Sequence, residues 1–127
     1  MGALTDFFFD PHDLQPWKHP QAGVDYEGVI LTTPYVAWRV DVNNIPRRTP
    51  EGAHRWALWL AVTTDDGERG FCIDSNTLAR AFHGRATERN LRRWADLWRV
   101  GGRLRLSWTI GENGERVYRG RYTSPAT

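Results

Sequence analysis

Hydrophobic and polar positions divide the chain into stretches of different period. Over residues 28–42, Val36, Trp38, Val40 and Val42 alternate with Ala37, Arg39 and Asp41. That period of two predicts a strand with one buried face, bent or placed at an edge by Pro34. Residues 55–64, RWALWLAVTT, are almost continuously apolar, as expected of a central strand covered on both faces. Asp66-Gly67 fits a two-residue type I′ turn. Pairing outward from it sets Val62 against Phe71 and Leu60 against Ile73, so residues 69–73 form a short third strand.

The period then changes. Leu78, Ala81 and Phe82 follow helical spacing over 75–83, with Asp74 or Ser75 as the cap and Gly84 as the stop. Leu91, Trp94, Ala95 and Trp98 repeat at i, i+3, i+4, i+7, which predicts a second helix over 87–98 capped by Thr87. At 100° per residue, Arg85, Arg89, Arg92 and Arg93 fall opposite that stripe.

After Gly101-Gly102 the period returns to two. Leu104, Leu106, Trp108 and Ile110 alternate with Arg103, Arg105, Ser107 and Thr109, and the return strand alternates Tyr118, Gly120 and Tyr122 with Val117, Arg119 and Arg121. A three-residue turn, Glu112-Asn113-Gly114 with Gly114 left-handed, sets Trp108 opposite Tyr118 and Leu104 opposite Tyr122. A one-residue slip would exchange the faces. This register places Arg105 against Arg121, and like charges so placed repel unless an anion sits over them.

The remaining segments lack periodicity. Residues 43–54, NNIPRRTPEGAH, read as a polar loop, and residues 1–25, interrupted by Pro11, Pro16 and Pro20, as an irregular aromatic arm. The fold expected is α+β in a single domain over 26–127. Its antiparallel sheet comprises two N-terminal strands, a short third strand and the C-terminal hairpin, with two consecutive helices packed on it.

Charge adds an asymmetry. Residues 1–74 hold six Lys/Arg against eleven Asp/Glu, a net −5; residues 75–127 hold eleven Arg against four acids, a net +7. A basic half on a small domain points to an anionic partner. Sixteen of the seventeen cationic residues are Arg, the side chain whose planar fork grips phosphates and base edges.

The order strand (Phe71–Ile73), helix, turn, helix, hairpin resembles the second part of a winged helix-turn-helix domain. NTLARAFHGRATERNLRRWADLW stands where that family has its two-helix core, and Arg103–Tyr122 where it has its wing. The resemblance implies duplex DNA as the partner. Arg85, Arg89, Asn90 and Arg93 would face the groove, with Arg92 beside them, and Arg103, Arg105, Arg119 and Arg121 would act as wing contacts. The chain departs from the family where a sheet replaces its first helix, where the turn at His83–Ala86 is tight, and where Glu88 replaces a small apolar residue. In size and Arg/Trp bias the chain also resembles small proteins of phages and mobile elements of high-GC bacteria.

The alternative is a protein-interaction module, such as a phage factor that binds and modulates a host protein. Phe7, Phe8, Phe9, Trp17 and loop 43–54 would form its contact surface, and the oppositely charged halves could pair two copies as a homodimer. No enzyme motif is present: there is no nucleophile elbow and no Gly-rich phosphate loop before a helix. His12, His19, His54 and His83 lack metal-ligand spacing, so neither metal nor cofactor is expected. Cys72 reads as a buried thiol. Trp38, Trp56, Trp94 and Trp98 read as core, as does Trp108 on the apolar face of its hairpin. The absence of a secretory signal and of a long apolar run predicts a cytoplasmic protein with no membrane partner.

Overall fold

The computed structural model describes residues 11–41, 43 and 45–126. Phe7, Phe8, Phe9 and Val42 lie outside the described residues. Six strands form one antiparallel sheet: β1 (Tyr26–Ile30), β2 (Tyr35–Trp38), β3 (Trp56–Thr64), β4 (Gly67–Ile73), β5 (Arg103–Ile110) and β6 (Arg116–Thr123). Two short helices, α1 (Asn76–Ala79) and α2 (Glu88–Leu97), connect β4 to β5, with a 3₁₀ turn at Arg80–Phe82 between them.

β3 organises the sheet. β4 pairs with it over residues 58–64. β2 pairs over 56–59 and β1 at 62–63, so both must share the edge that β4 leaves free. The expected strand over 28–42 is thus two strands separated by a bend at Pro34. The sheet stays continuous across the bend, because Leu31 N–H donates to Ala61 O at 2.8 Å and Ala61 N–H to Thr32 Oγ1 at 2.9 Å. β1 also pairs with β5, which makes the β5–β6 hairpin part of the main sheet.

The β3–β4 register corrects the expected one by two residues: Leu60 faces Phe71 and Leu58 faces Ile73. The turn is Asp65-Asp66, and Gly67 alone there takes a positive φ, +102°. A type I′ turn would force a side chain into the left-handed region; shifting it leaves that conformation to the glycine. A shift of two preserves the apolar face, so the core is unchanged. The β5–β6 register matches the expected one, with Leu104 against Tyr122, Arg105 against Arg121, Ser107 against Arg119 and Trp108 against Tyr118.

Helix caps follow local chemistry. Ser75 Oγ accepts from Leu78 N–H at 3.3 Å, and Thr87 Oγ1 from Asn90 N–H at 3.2 Å. The first helix is shorter than expected, and His83 (φ 65°), not Gly84, takes the left-handed position after it. Gly84 is needed for space: a Cβ there would stand 3.0 Å from Trp94.

The helices lie on the sheet face that carries Leu58, Leu60, Leu104 and Leu106, burying Leu91, Trp94, Trp98 and Phe82 against it. Gly120 allows the Phe82 ring to touch β6; a Cβ there would meet that ring at 2.9 Å. The described part of the arm packs in cis. Trp17 N–H donates to Gly70 O at 2.8 Å, and Gly70 N–H to Gln15 O at 2.9 Å. These bonds lay residues 15–17 along the outer edge of β4. Trp17 is 8% exposed within the core, which removes it from any partner surface.

The described residues within 39–55 form a hydrogen-bonded ladder, not an irregular polar loop. Arg39 and Arg55, Arg47 and Arg39, Asp41 and Ile45, and Thr49 and Ala53 are joined by backbone hydrogen bonds of 2.7–3.0 Å. Trp38, expected in the core, sits at the base of this ladder, 46% exposed and stacked on His54 at 3.8 Å.

Candidate nucleic-acid interface

The alternation of β5 and β6 sorts their side chains by face. Leu104, Leu106 and Trp108 are buried, whereas Arg103, Arg105, Arg119 and Arg121 are exposed on the opposite side. Residues two apart on a strand stand about 7 Å from each other, so the four guanidinium groups form a compact patch. Across the strands, Glu27, Arg105 and Arg121 occupy one row. Glu27 holds Arg103 at 3.1 Å and approaches Arg105 at 3.9 Å. It is the internal anion that the Arg105–Arg121 confrontation called for. Sequence reasoning missed it because the β1–β5 pairing spans most of the chain. Arg119 and Arg121 have no carboxylate partner among the described residues. A depression of about 300 Å³ opens between Glu27, Arg103, Arg105, Arg121 and Thr123.

The helix arginines are placed differently. Arg92 donates to Glu88 at 2.8 Å and lies 5.5 Å from the Trp56 ring centroid, so half of its role is to cover an aromatic. Asn90 is occupied internally: its backbone N–H meets the Thr87 cap, and its side-chain amide donates to Arg85 O at 3.1 Å. Arg85 lines a polar cleft of about 630 Å³ with Arg48, Arg55, Glu51 and Asp74. Arg89 and Arg93 are exposed on α2. The helices cover one face of the sheet and the hairpin arginines project from the other. Arg85 lines one concavity, and Arg103, Arg105 and Arg121 line another.

Among the described residues no cluster of His, Cys, Asp or Glu could hold a metal ion, and no described helix is long and apolar enough to cross a membrane. His54 is stacked on Trp38, and His19 is buried. Burial, with Arg116 adding to it, lowers the pKa of His19 to about 4. Burial and Asp74 push the Cys72 thiol up to about 12 against the opposing effect of Arg39, so it stays protonated. Comparison with protein-family models finds no match, and comparison with curated proteins finds no significant match.

Proposed function

We propose that this protein binds nucleic acid through the outward face of β5–β6, without catalysing a reaction on it. The supporting observation is the patch of Arg103, Arg105, Arg119 and Arg121, offset among the described residues only by Glu27. No aromatic ring stands among these arginines on either strand, so the patch suits phosphates rather than stacked bases. Duplex DNA is the first polymer to test. With β1 and β2 taken as one bent strand, β1 lies between β3 and β5, and the helices join the third strand to the fourth. Oligonucleotide-binding folds use a partly open five-stranded Greek-key barrel of that order but bind through the second and third strands, here β3–β4, and the loops after the first and fourth, so the strand plan does not support the β5–β6 face, and fold by itself does not assign function.

The test compares the two arginine sets. Arg105→Gln/Arg119→Gln/Arg121→Gln should weaken duplex binding at low salt by tenfold or more, while Arg89→Gln/Arg93→Gln should change it little. The opposite ranking would move the interface to α2, as the winged-helix resemblance implies.

A protein-interaction reading has its own observation. Ile45 is 57% exposed on the ladder that also carries Trp38, Arg47 and Arg48, and exposed apolar side chains on an ordered projection mark contact surfaces. Loss of a protein partner on Ile45→Asp, with nucleic-acid affinity unchanged, would favour it.

A further inference from the structure

Most aromatic rings of this protein close on one another. Beneath the arm, around a cavity of about 700 Å³, Trp17 meets Phe71 edge-on at 5.1 Å and His19 at 4.6 Å. Trp38 differs. Of the seven tryptophans it alone is exposed, at 46%. His54 lies nearly parallel to it, tilted by 8° with centroids 3.8 Å apart, and Trp56 meets it edge-on at 6.1 Å. One face of the Trp38 ring is therefore covered, and its exposure belongs to the other face and the rim. A flat ring open on one side and backed by a parallel ring on the other is a platform on which a third planar group can continue the stack.

The platform is held by backbone. Trp38 faces Trp56 across β2–β3, Arg39 N–H donates to Arg55 O at 2.7 Å just beyond, and Arg48 bridges to His54. A ring already fixed in place loses little freedom when a ligand stacks on it.

The surroundings select the kind of ligand. His54 and Trp56, the two rings that touch Trp38, also line the polar cleft of about 630 Å³ that holds Arg48, Arg55 and Arg85. Of the two carboxylates in that cleft, Glu51 and Asp74, the second is held by Arg39 at 2.9 Å, so the cleft is net positive. Arg92 lies over the Trp56 ring at 5.5 Å. An apolar protein surface would match the open ring and not the cleft. A chain that carries flat rings along an anionic backbone matches both.

We propose that Trp38 stacks one unpaired base of a single-stranded nucleic acid whose backbone passes the arginine cleft. The contact engages a base, which the ring-free β5–β6 face does not, and it stands whether or not that face binds duplex.

The full chain is titrated against two end-labelled strands of equal length and charge, an oligothymidylate and an abasic strand, following fluorescence anisotropy. The oligothymidylate should bind about five- to hundredfold more tightly, the range for one base–aromatic stack. Trp38→Phe should keep much of that preference. Trp38→Leu, apolar but without a ring, should abolish it and leave affinity for the abasic strand unchanged. Arg48→Gln/Arg85→Gln should weaken both strands several-fold at low salt and preserve the preference. The Arg105/Arg119/Arg121 triple variant should also preserve it, even where duplex binding is lost, which separates the two sites. Equal affinity for the two strands in the wild-type chain, or no affinity for either, would overturn the proposal. So would a preference that survives Trp38→Leu or disappears in the triple variant, or strand affinity untouched by Arg48→Gln/Arg85→Gln. Self-association that Trp38→Leu abolishes, in place of strand binding, would assign the ring to a protein contact and overturn it too.

Discussion

The two long hairpins, β3–β4 and β5–β6, are built alike and used differently. Both turn on a glycine with positive φ, Gly67 in one and Gly114 in the other. Both place large apolar side chains on the face that meets the helices. Their outer faces diverge. On β3–β4 the outer positions are mostly small or apolar: Ala57, Ala61, Gly70, Cys72 and Trp59. The arm crosses this face at Trp59 and Gly70, closely enough that a Cβ on Gly70 would collide with the Pro11 carbonyl. On β5–β6 the outer positions are arginines, and no described segment covers them. A strand buried on both faces is hydrophobic throughout, while one buried on a single face alternates. The difference separates a face used for folding from a face left exposed to solvent.

The largest effect should come from breaking the shared inner face. Leu104 is fully buried and its neighbour Arg105 is exposed. Leu104→Ala should cost about 2–5 kcal/mol in denaturant unfolding, whereas Arg105→Ala should stay within about 0.5 kcal/mol. Equal effects would contradict the two-faced account of this hairpin.

Acid should act mainly through the arm. His19 is neutral in the fold with its pKa lowered to about 4 from 6.5, so the unfolded chain binds the extra proton. Its contribution is complete above about pH 6.5 and is lost as the pH falls through about 4, by at most about 3 kcal/mol. His19→Phe should flatten that part of the stability–pH curve. A curve unchanged by the substitution would remove His19 from the account.

Covering of the β3–β4 outer face is tested by Gly70→Ala, whose methyl group must displace Pro11. Destabilisation of about 1–3 kcal/mol is expected, together with faster quenching of Trp59 by a soluble quencher. The smallest effect on stability should come from Glu27→Gln, which frees Arg103 and Arg105 from their internal anion. Stability should change by less than about 1 kcal/mol, as for other exposed pairs, while affinity for a polyanion rises several-fold.

The two hairpins also differ in how much of them was legible beforehand. For β5–β6, strict alternation and a glycine three residues into the turn left one register that kept the faces, and the Arg105–Arg121 confrontation followed from it. For β3–β4, Asp66-Gly67 suited a familiar turn, but an almost continuous apolar run tolerates a shift of two residues without penalty. Local cost at Asp66 decided the register. The run 55–64 announced a cover on both faces without saying that the arm provides it. Glu27, the Trp38–His54 stack and the cavity around His19 depend on contacts between segments far apart in sequence, which periodicity does not encode. Trp38 illustrates this: its alternation marked it as core, but β2 ends at that residue, where the helices no longer cover it.

The central claim is that the uncovered arginine face binds nucleic-acid backbone. The most direct measurement is the dependence of duplex-DNA affinity on salt for the wild-type chain and for Arg105→Gln/Arg119→Gln/Arg121→Gln. Each phosphate neutralised adds about −0.9 to the slope of log K against log salt. Four arginines predict a slope of about −3 to −4, falling to about −1 in the triple variant. A wild-type slope retained in the variant, or no affinity for duplex DNA even at low salt, would contradict the claim.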